Sequence, residues 1–360
     1  MRELKILYGI NTIGQGHINR SHTIINQLRK DGHHVDCVFS GPKPPKYAYK
    51  VGDRWISVHG YHMEFDELGT VPARTLFNNI LKIKSILKSL LTSFRLTLSE
   101  NYDAIISDFE ISTTIAGFLL RKPVIIVDHQ HSLIHPGSLR APGKLFDILN
   151  MLFSLAISIP YFTHIFSLDF VPNPIRRFRE TLFPLTNKPE IENLPISVQN
   201  HYCVYLPYFP LKKLFEIFSQ FPEFDFHIYG FNISKKIKNL CFKRTTREGF
   251  LKNMATSKGV ISHAGFSLIW EVILLKKPFY VIPLESHYEQ QANAFRLSHK
   301  KLAYVRNDLT KLLLKNFIDE CIQLNYQKTR NINIIQPNIL MKFIYEEILK
   351  FNHRKSISTK

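Results

Sequence analysis

GVISHAGFSLIWEVILLKKPFYVIPLESHYEQQANA, Gly259 to Ala294, holds most of what the chain says about its fold. Gly259 to Ser262 is apolar and too short for a helix, so it reads as a buried strand. Ser267 supplies a helix start before an apolar-periodic run to Leu275, which Pro278 ends. Phe279 to Ile282 is rich in strand formers and stops at Pro283, after which Glu289 to Leu297 regains helical spacing. The unit is β-α-β-α. In an open parallel sheet, ligands bind outside the carboxyl ends of the strands, where helix N-termini offer unpaired N–H groups to anions. Both strand ends here are polar: His263 and Ser267 flank the first helix start, and Glu285, Glu289 and Gln290 follow the second strand. Gly265 admits a ligand close to the backbone. A phosphate site beside a hydroxyl-binding site is the pattern, and a nucleotide-sugar would fill both.

These residues carry a resemblance. The stretch is similar to the donor-binding signature of GT-B glycosyltransferases, both the UDP-glycosyltransferases and the family that completes the peptidoglycan lipid disaccharide. Ser262-His263-Ala264-Gly265, Ser267, Glu271, Pro278, Pro283, Gln290 and Asn293-Ala294 occupy the matching places. Lys277 stands for the usual Gly before Pro278, a departure that bears on turn geometry. Near the N-terminus, "GINTIGQGHINRSH" puts a Gly-rich turn with Gly14 and Gly16 after the first strand and His17 at the entry to the first helix. It resembles the G-H-x-x-P start of UDP-glycosyltransferases and the Gly-Gly-His turn of the peptidoglycan family; Arg20 stands where many members have Pro.

The resemblance implies an α/β chain of two Rossmann-like, doubly wound domains facing a cleft, and a sugar transfer with inversion. Such a transfer needs a base for the acceptor hydroxyl, a task suited to neutral His. His17 is the candidate, with Asp108 in "AIISDFE" as the carboxylate that fixes its tautomer. The plainer alternative makes His17 a helix cap or phosphate contact and Asp108 a cap of the next helix. His263, Gly265 and Ser267 fit a phosphate site or, separately, a turn and an N-cap. Glu271 is expected at a ribose, against the alternative of a solvated helix position. Glu289, Gln290 and Asn293 are expected on the donor, although the first two also suit a first helical turn.

Alternating strand and helix patterns run through the first half: Leu4–Tyr8, a helix from Ile18, Val35–Phe39, a helix over Leu76–Leu98, Ala104–Ser107, a helix from Ser112 and Val124–Val127. The Pro-rich stretch at 183–197 reads as a linker between an acceptor-side domain at 1–182 and a nucleotide-sugar domain at 198–350, with a polar tail at 351–360. Ile148 to Phe170 is the longest apolar region. Pro160 interrupts it, and Asn150, His164 and Asp169 would be costly in lipid, so a buried helix followed by a core strand is expected.

With 360 residues, 45% hydrophobic, the chain is long and apolar enough for two cores, which excludes a disordered protein. Cys37, Cys203, Cys241 and Cys321 are far apart and form no C-x-x-C, which favours neither a disulfide framework nor a zinc site. Met1 leads directly into "LKILYG" without a secretory pattern, and a cytoplasmic protein is expected. The net charge of +18 favours an anionic partner. Its lysines are dispersed and no nucleic-acid motif appears, so nucleic acid is not the expected one.

No metal is expected: "DFE" falls in a chain with two nucleotide folds rather than one, and His129, His131 and His135 fit no familiar ligand spacing. No other cofactor is expected beside the nucleotide-sugar co-substrate. Glu110, Asp128, His129 and His131 follow strand ends of the first domain and are candidates for the acceptor side. The helix over Leu76–Leu98 sets Leu76, Ile80, Ile83, Leu87, Leu90, Leu91 and Phe94 at helical spacing among Lys82, Lys84, Lys88 and Arg95. Such a helix either packs its stripe on the sheet or lies on an anionic membrane, which would put a lipid-linked or cell-envelope acceptor beside the cleft. Two other functions remain open: a non-hydrolysing nucleotide-sugar epimerase of the same fold, and a non-catalytic basic binding protein.

Overall fold

The structure is a computed structural model that describes residues 2–60, 65–66, 69–70, 72–158, 161–171, 173–323 and 332–358. Pro160 lies outside the described residues, as do the side chains of Leu76 and Cys321.

β1 (Lys5–Asn11) is buried over nearly its whole length, as a central parallel strand covered on both faces must be. α1 (Gly16–Lys30) crosses to β2 (His34–Ser40), and β3 (Arg54–Val58) lies beside it. β4 (Phe65–Asp66) and β5 (Gly69–Thr70) pair with each other, and the long helix expected next divides at Lys82 into α2 (Pro72–Leu81) and α3 (Ile83–Glu100). β6 (Ala104–Asp108), α4 (Ile111–Leu119), β7 (Val124–Asp128), α5 (Leu145–Ser158) and β8 (His164–Asp169) continue the winding. β9 (Ile175–Arg177) pairs antiparallel with β10 (Glu180–Thr186).

The second unit follows α6 (Pro189–Glu192): β11 (His201–Tyr205), α7 (Leu211–Phe218), β12 (Asp225–Tyr229), β13 (Lys235–Ile237), β14 (Leu240–Phe242) and α8 (Arg247–Thr256). The stretch quoted first folds as expected into β15 (Gly259–Ser262), α9 (Phe266–Leu274), β16 (Phe279–Val281) and α10 (Tyr288–His299). β17 (Tyr304–Val305), α11 (Lys311–Gln323), β18 (Ile334–Ile335) and α12 (Pro337–Ser358) complete the chain.

Two sheets result. Strand order is β18-β10-β8-β7-β6-β1-β2-β3 in the first and β13-β14-β12-β11-β15-β16-β17 in the second, parallel except for β9 and β13. Each order reverses once, between β1 and β6 and between β11 and β15, and ligands of doubly wound sheets collect at such switch points. His17 and Asp108 lie on or beyond the first pair of strand ends, and the His263–Ser267 turn follows the second.

The expected boundaries shift in three places. Phe183–Thr186, the start of the expected linker, is a buried stretch of β10, because its Leu and Phe side chains join the first core. β18 pairs with β10, and α12 packs on the first unit through Leu340, Met341, Ile344 and Ile348, so the chain re-enters that unit before residue 350. Residues 351–358, expected as a polar tail, continue α12. The turn departure assigned to Lys277 falls one residue earlier: Lys276 has φ 52°, the left-handed region where glycine is favoured. Lys277 is instead buried, and its Nζ donates to Ser197 O (2.6 Å) and Ser257 O (2.9 Å), tying the start of the second unit to α8; burial lowers its pKa to about 8.

Ile148–Phe170 yields the expected helix and core strand, but α5 is not buried: Leu145, Phe146, Leu149 and Phe153 are exposed. α3 differs more sharply from a helix that seats its apolar stripe on the sheet. It buries Ser89, Ser93 and Thr97, because α4 packs closely against it, with Ser112 at the contact, and small residues let two helices approach closely. Ser93 Oγ and Ser112 Oγ share a hydrogen bond of 2.7 Å across that contact. No helix among the described residues is long and apolar enough to cross a membrane.

Candidate active site

On the first sheet the site is built by two turns. Gly14 has φ 71°, which lets the chain leave β1 sharply and enter α1 at Gly16. After β6, Phe109 takes φ 56°, a strained conformation for a bulky residue, and Asn11 Nδ2 holds it by donating to Phe109 O (3.1 Å). The turn leaves Asp108 facing α1 and sends Glu110 into α4 as its N-cap. Glu110 Oε1 accepts from Ser112 N and Oγ, and Oε2 from Thr113 N and Oγ1, at 2.6–2.8 Å. Gly9 makes room for that cap, since a Cβ there would lie 2.2 Å from Thr113 Oγ1.

His17 and Asp108 meet as the sequence predicts. His17 Nδ1 lies 2.7 Å from Asp108 Oδ1, and the ring stacks on Phe109 at 5.7 Å. With Nδ1–H donated to the carboxylate, Nε2 is left as the basic nitrogen. Arg20, one turn further along α1, forms a two-pronged pair with the same carboxylate, Nε to Oδ2 at 2.7 Å and Nη2 to Oδ1 at 2.5 Å. Burial alone would raise the Asp108 pKa; Arg20 and then His17 outweigh it and hold the carboxyl below its usual range. Arg20 Nη2 is also 3.0 Å from His17 Nδ1, so a guanidinium N–H and the Asp108 carboxylate compete for one ring nitrogen.

On the second sheet, His263 Nδ1 donates to Ile282 O (2.8 Å), and its buried Nε2 has no protein partner. Gly265, not Ser267, is the N-cap of α9, and no side chain caps that helix. Ser267 Oγ instead donates to Gly16 O (2.7 Å), bringing the starts of α1 and α9 together across the two units. α1 likewise has no side-chain cap at Gln15.

Glu271 is buried rather than solvated. Its Oε1 receives Lys188 Nζ (2.9 Å) and Arg247 Nη2 (2.8 Å), and Lys188, fully buried, also lies 4.4 Å over the Trp270 ring. Burial would raise the Glu271 pKa, but Arg247 and Lys188 bring it down to about 2. Gln290 Oε1 accepts from Ala264 N (3.2 Å) and Leu284 N (3.1 Å), so it shapes the two loops that carry the site. Glu289 Oε2 accepts from Gln130 Nε2 (3.2 Å), a residue of the first unit.

A cavity of about 320 Å³ lies between the units, within the ~300–1,000 Å³ usual for ligand pockets. From the first unit it is lined by Gly14, Gly16, His17 and Arg20; from the second by Gly265, Ser267, Glu271, Glu289 and Gln290. Asp108, His263 and Asn293 stand behind this wall. Asn293 ties the units together, with Oδ1 2.8 Å from His129 Nε2 and Nδ2 donating to Ala264 O (3.1 Å).

The four acceptor-side candidates do not line the cavity. Glu110 is the α4 cap. His129 is buried between Asn293 and Leu168 O and stacked on Phe266, and Asp128 Oδ2 is 2.6 Å from His131 Nδ1, a pair consumed in holding the loop after β7. That loop receives α10. Arg296 donates to Leu139 O (2.9 Å), Ser132 Oγ and Ser132 O (both 3.1 Å), and Tyr288 OH donates to Ala141 O (3.1 Å). The first unit lines the cavity instead with Gln130, Leu133, Asp147, Asn150, Met151 and Leu155. Arg247, Tyr205 and Tyr208 also reach the cavity and carry no local sequence signal; Arg20 showed itself only as a departure from Pro. Among the described residues one group of three potential metal ligands occurs, Asp225, His227 and Cys241. None lines the cavity, and Lys236 lies 3.3 Å from Asp225 and Lys243 3.1 Å from His227.

The model of glycosyl transferase family 1 matches residues 4–321. Among solved structures, the chain is similar to CalG4, the calicheamicin glycosyltransferase, at 16% identity and a TM-score of 0.63, covering 97% of this chain and 99% of that one. Spinosyn rhamnosyltransferase SpnG complexed with thymidine diphosphate matches at 14% identity and a TM-score of 0.59, over 95% of this chain and 100% of that one. Phytolacca americana UGT2, complexed with UDP-2fluoro-glucose and pterostilbene, matches at 12% and 0.62, over 92% and 94%. No curated protein matches by sequence.

Proposed function

Because the chain belongs to glycosyl transferase family 1 and is a glycosyltransferase of GT-B architecture, we propose that it moves a hexose-type sugar from a nucleoside diphosphate, UDP in our reading, to an acceptor hydroxyl with inversion and without a metal ion. The observation that carries this reading is His17, hydrogen-bonded to Asp108 at 2.7 Å, on the wall of a cavity that also holds the uncapped start of α9.

The donor diphosphate lies at that helix start, where the N–H groups of the first turn are unpaired and the helix dipole favours negative charge. Arg247 stands on the same wall. Glu271, Glu289, Gln290 and the unpartnered Nε2 behind them at His263 make up the donor side, with Asn293 holding the loops in register. His17 Nε2 takes the proton of the acceptor hydroxyl as its oxygen attacks the anomeric carbon from the face opposite the diphosphate. The bond to the diphosphate oxygen breaks, and its electron pair leaves as charge met by the α9 N–H groups. Asp108 keeps the proton of His17 on Nδ1 and balances the imidazolium that forms. The acceptor in this reading is lipid-linked or belongs to the cell envelope, and contact with an anionic membrane is peripheral.

UDP is expected to raise the unfolding midpoint, since a ligand at 100 times its Kd stabilises a protein by ~2.7 kcal/mol. A thermal-shift series with UDP, TDP, GDP and ADP measures this, and a flat response to all four would sink the proposal. The UDP-sugar incubated alone should give no epimer, whereas conversion to one would replace transfer by epimerisation.

A further inference from the structure

The outer layer of the first unit is turned inside out. α3 buries Ser89, Ser93 and Thr97 while Ile83, Leu87 and Leu91 are exposed. α2 adds Phe77, Ile80 and Leu81, each more than half exposed, and α5 adds Leu145, Phe146, Leu149 and Phe153. A helix facing water sets its polar side outward, and contiguous apolar surface of this kind marks a docking site. α3 and α5 cover the same face of the sheet, since Leu96, Met151 and Leu155 belong to one core with Leu7, Ile105 and Ile126. α4 lies against α3 and exposes Phe118 and Leu119. The exposed side chains therefore form one surface.

Its charge is predominantly positive, although Lys144 pairs with Glu285 (3.6 Å) and α5 carries Asp147. From Gly69 to Ser99 there is no Asp or Glu, while Arg74, Lys82, Lys84, Lys88 and Arg95 are interspersed. From His129 to Phe146 there is again no acid, and Arg140 and Lys144 are present. Two copies of this chain meeting through such faces would oppose cation to cation. An anionic bilayer complements both the apolar side chains and the charge.

We propose that α2 to α5 dock on an anionic bilayer, and that an amphiphilic acceptor anchored there reaches the cavity along α5. α5 has the two faces this requires. Phe146, Leu149 and Phe153 are exposed, while Asp147, Asn150, Met151 and Leu155 line the cavity. The acceptor route rests on the glycosyl-transfer reading; the docking does not.

Flotation of the full chain with phosphatidylcholine vesicles, with and without phosphatidylglycerol, tests it at low and high salt. The expected result is recovery with the anionic vesicles that falls as salt rises. The pairs Lys84→Glu/Lys88→Glu and Phe146→Ser/Leu149→Ser should each reduce binding by roughly tenfold or more, the scale of losing a few interfacial contacts. All four side chains are exposed, so an unchanged circular dichroism spectrum and unfolding midpoint verify that each variant is folded. Equal recovery with neutral and anionic vesicles, or no flotation at low salt, overturns the docking; so does a dimer that the same variants dissociate in the absence of lipid. A chain that floats but does not respond to any nucleotide keeps the docking surface and overturns the acceptor route.

Discussion

His17→Ala is expected to lower turnover by roughly 10²- to 10⁴-fold while leaving UDP affinity nearly unchanged, because a general base contributes in the transition state and not to donor binding. The variant should fold. Asp108 keeps its two-pronged partner Arg20, so removing the imidazole leaves no buried charge without a counter-ion. Donor affinity by calorimetry and initial rates on a verified acceptor separate the two effects. Turnover at the parent rate would move the base elsewhere, with Glu289, a carboxylate on the cavity wall, the next to test. Asp108→Asn would report differently, since it removes the charge that opposes Arg20 in a fully buried place and should lower stability as well as rate.

Glu271→Ala is expected to lower folding stability by about 3–5 kcal/mol, the cost of leaving a buried charge unpaired. Lys188 has no exposure and would lose the carboxylate that receives its hydrogen bond, keeping the Trp270 ring and the more distant Glu190. The dependence on pH has a definite sign. The folded carboxyl titrates at about 2 against 4.5 for the free group, so its contribution is present above pH 4.5 and is lost as pH falls through that value towards 2. Denaturant unfolding of the parent and Glu271→Gln at pH 7 and pH 3 measures it, and a difference that grows on acidification would contradict the assignment. UDP affinity should fall too, by about 1–3 kcal/mol, if ribose hydroxyls lose their acceptor. Calorimetry below the variant's unfolding midpoint decides that point: unchanged affinity would confine Glu271 to the Lys188–Arg247 cluster.

The signature stretch was legible because each of its signals is local: a strand too short to be a helix, prolines at two stops, polar side chains at two strand ends. His17 and Asp108 lie far apart in sequence, and no spacing rule joins them. They meet because β1 and β6 are neighbours across the reversal of strand order, which resemblance supplied and periodicity could not. Lys188, Arg247 and Glu271 come from three separate elements, and a charged residue looks the same in sequence whether it faces water or a buried partner. Asp128, His129 and His131 show the converse: they do follow a strand end, but α10 covers that loop with Arg296 and Asn293. The orientation of α3 was left open for a different reason. Periodicity finds two faces on a helix, and here the face of serines and threonines is the one that fits closely against α4.

The return of the chain through β18 and α12 bears on how this molecule can be recombined. A chimera made by joining the first 187 residues to the remainder of a relative would import a foreign helix onto α1 and β9, where Tyr345 OH donates to Asp31 (2.7 Å) and Glu347 pairs with Arg176. A graft meant to exchange donor preference alone has to carry 198–323 and keep both crossings native. The gene is therefore not two cassettes in series but one cassette inserted into another.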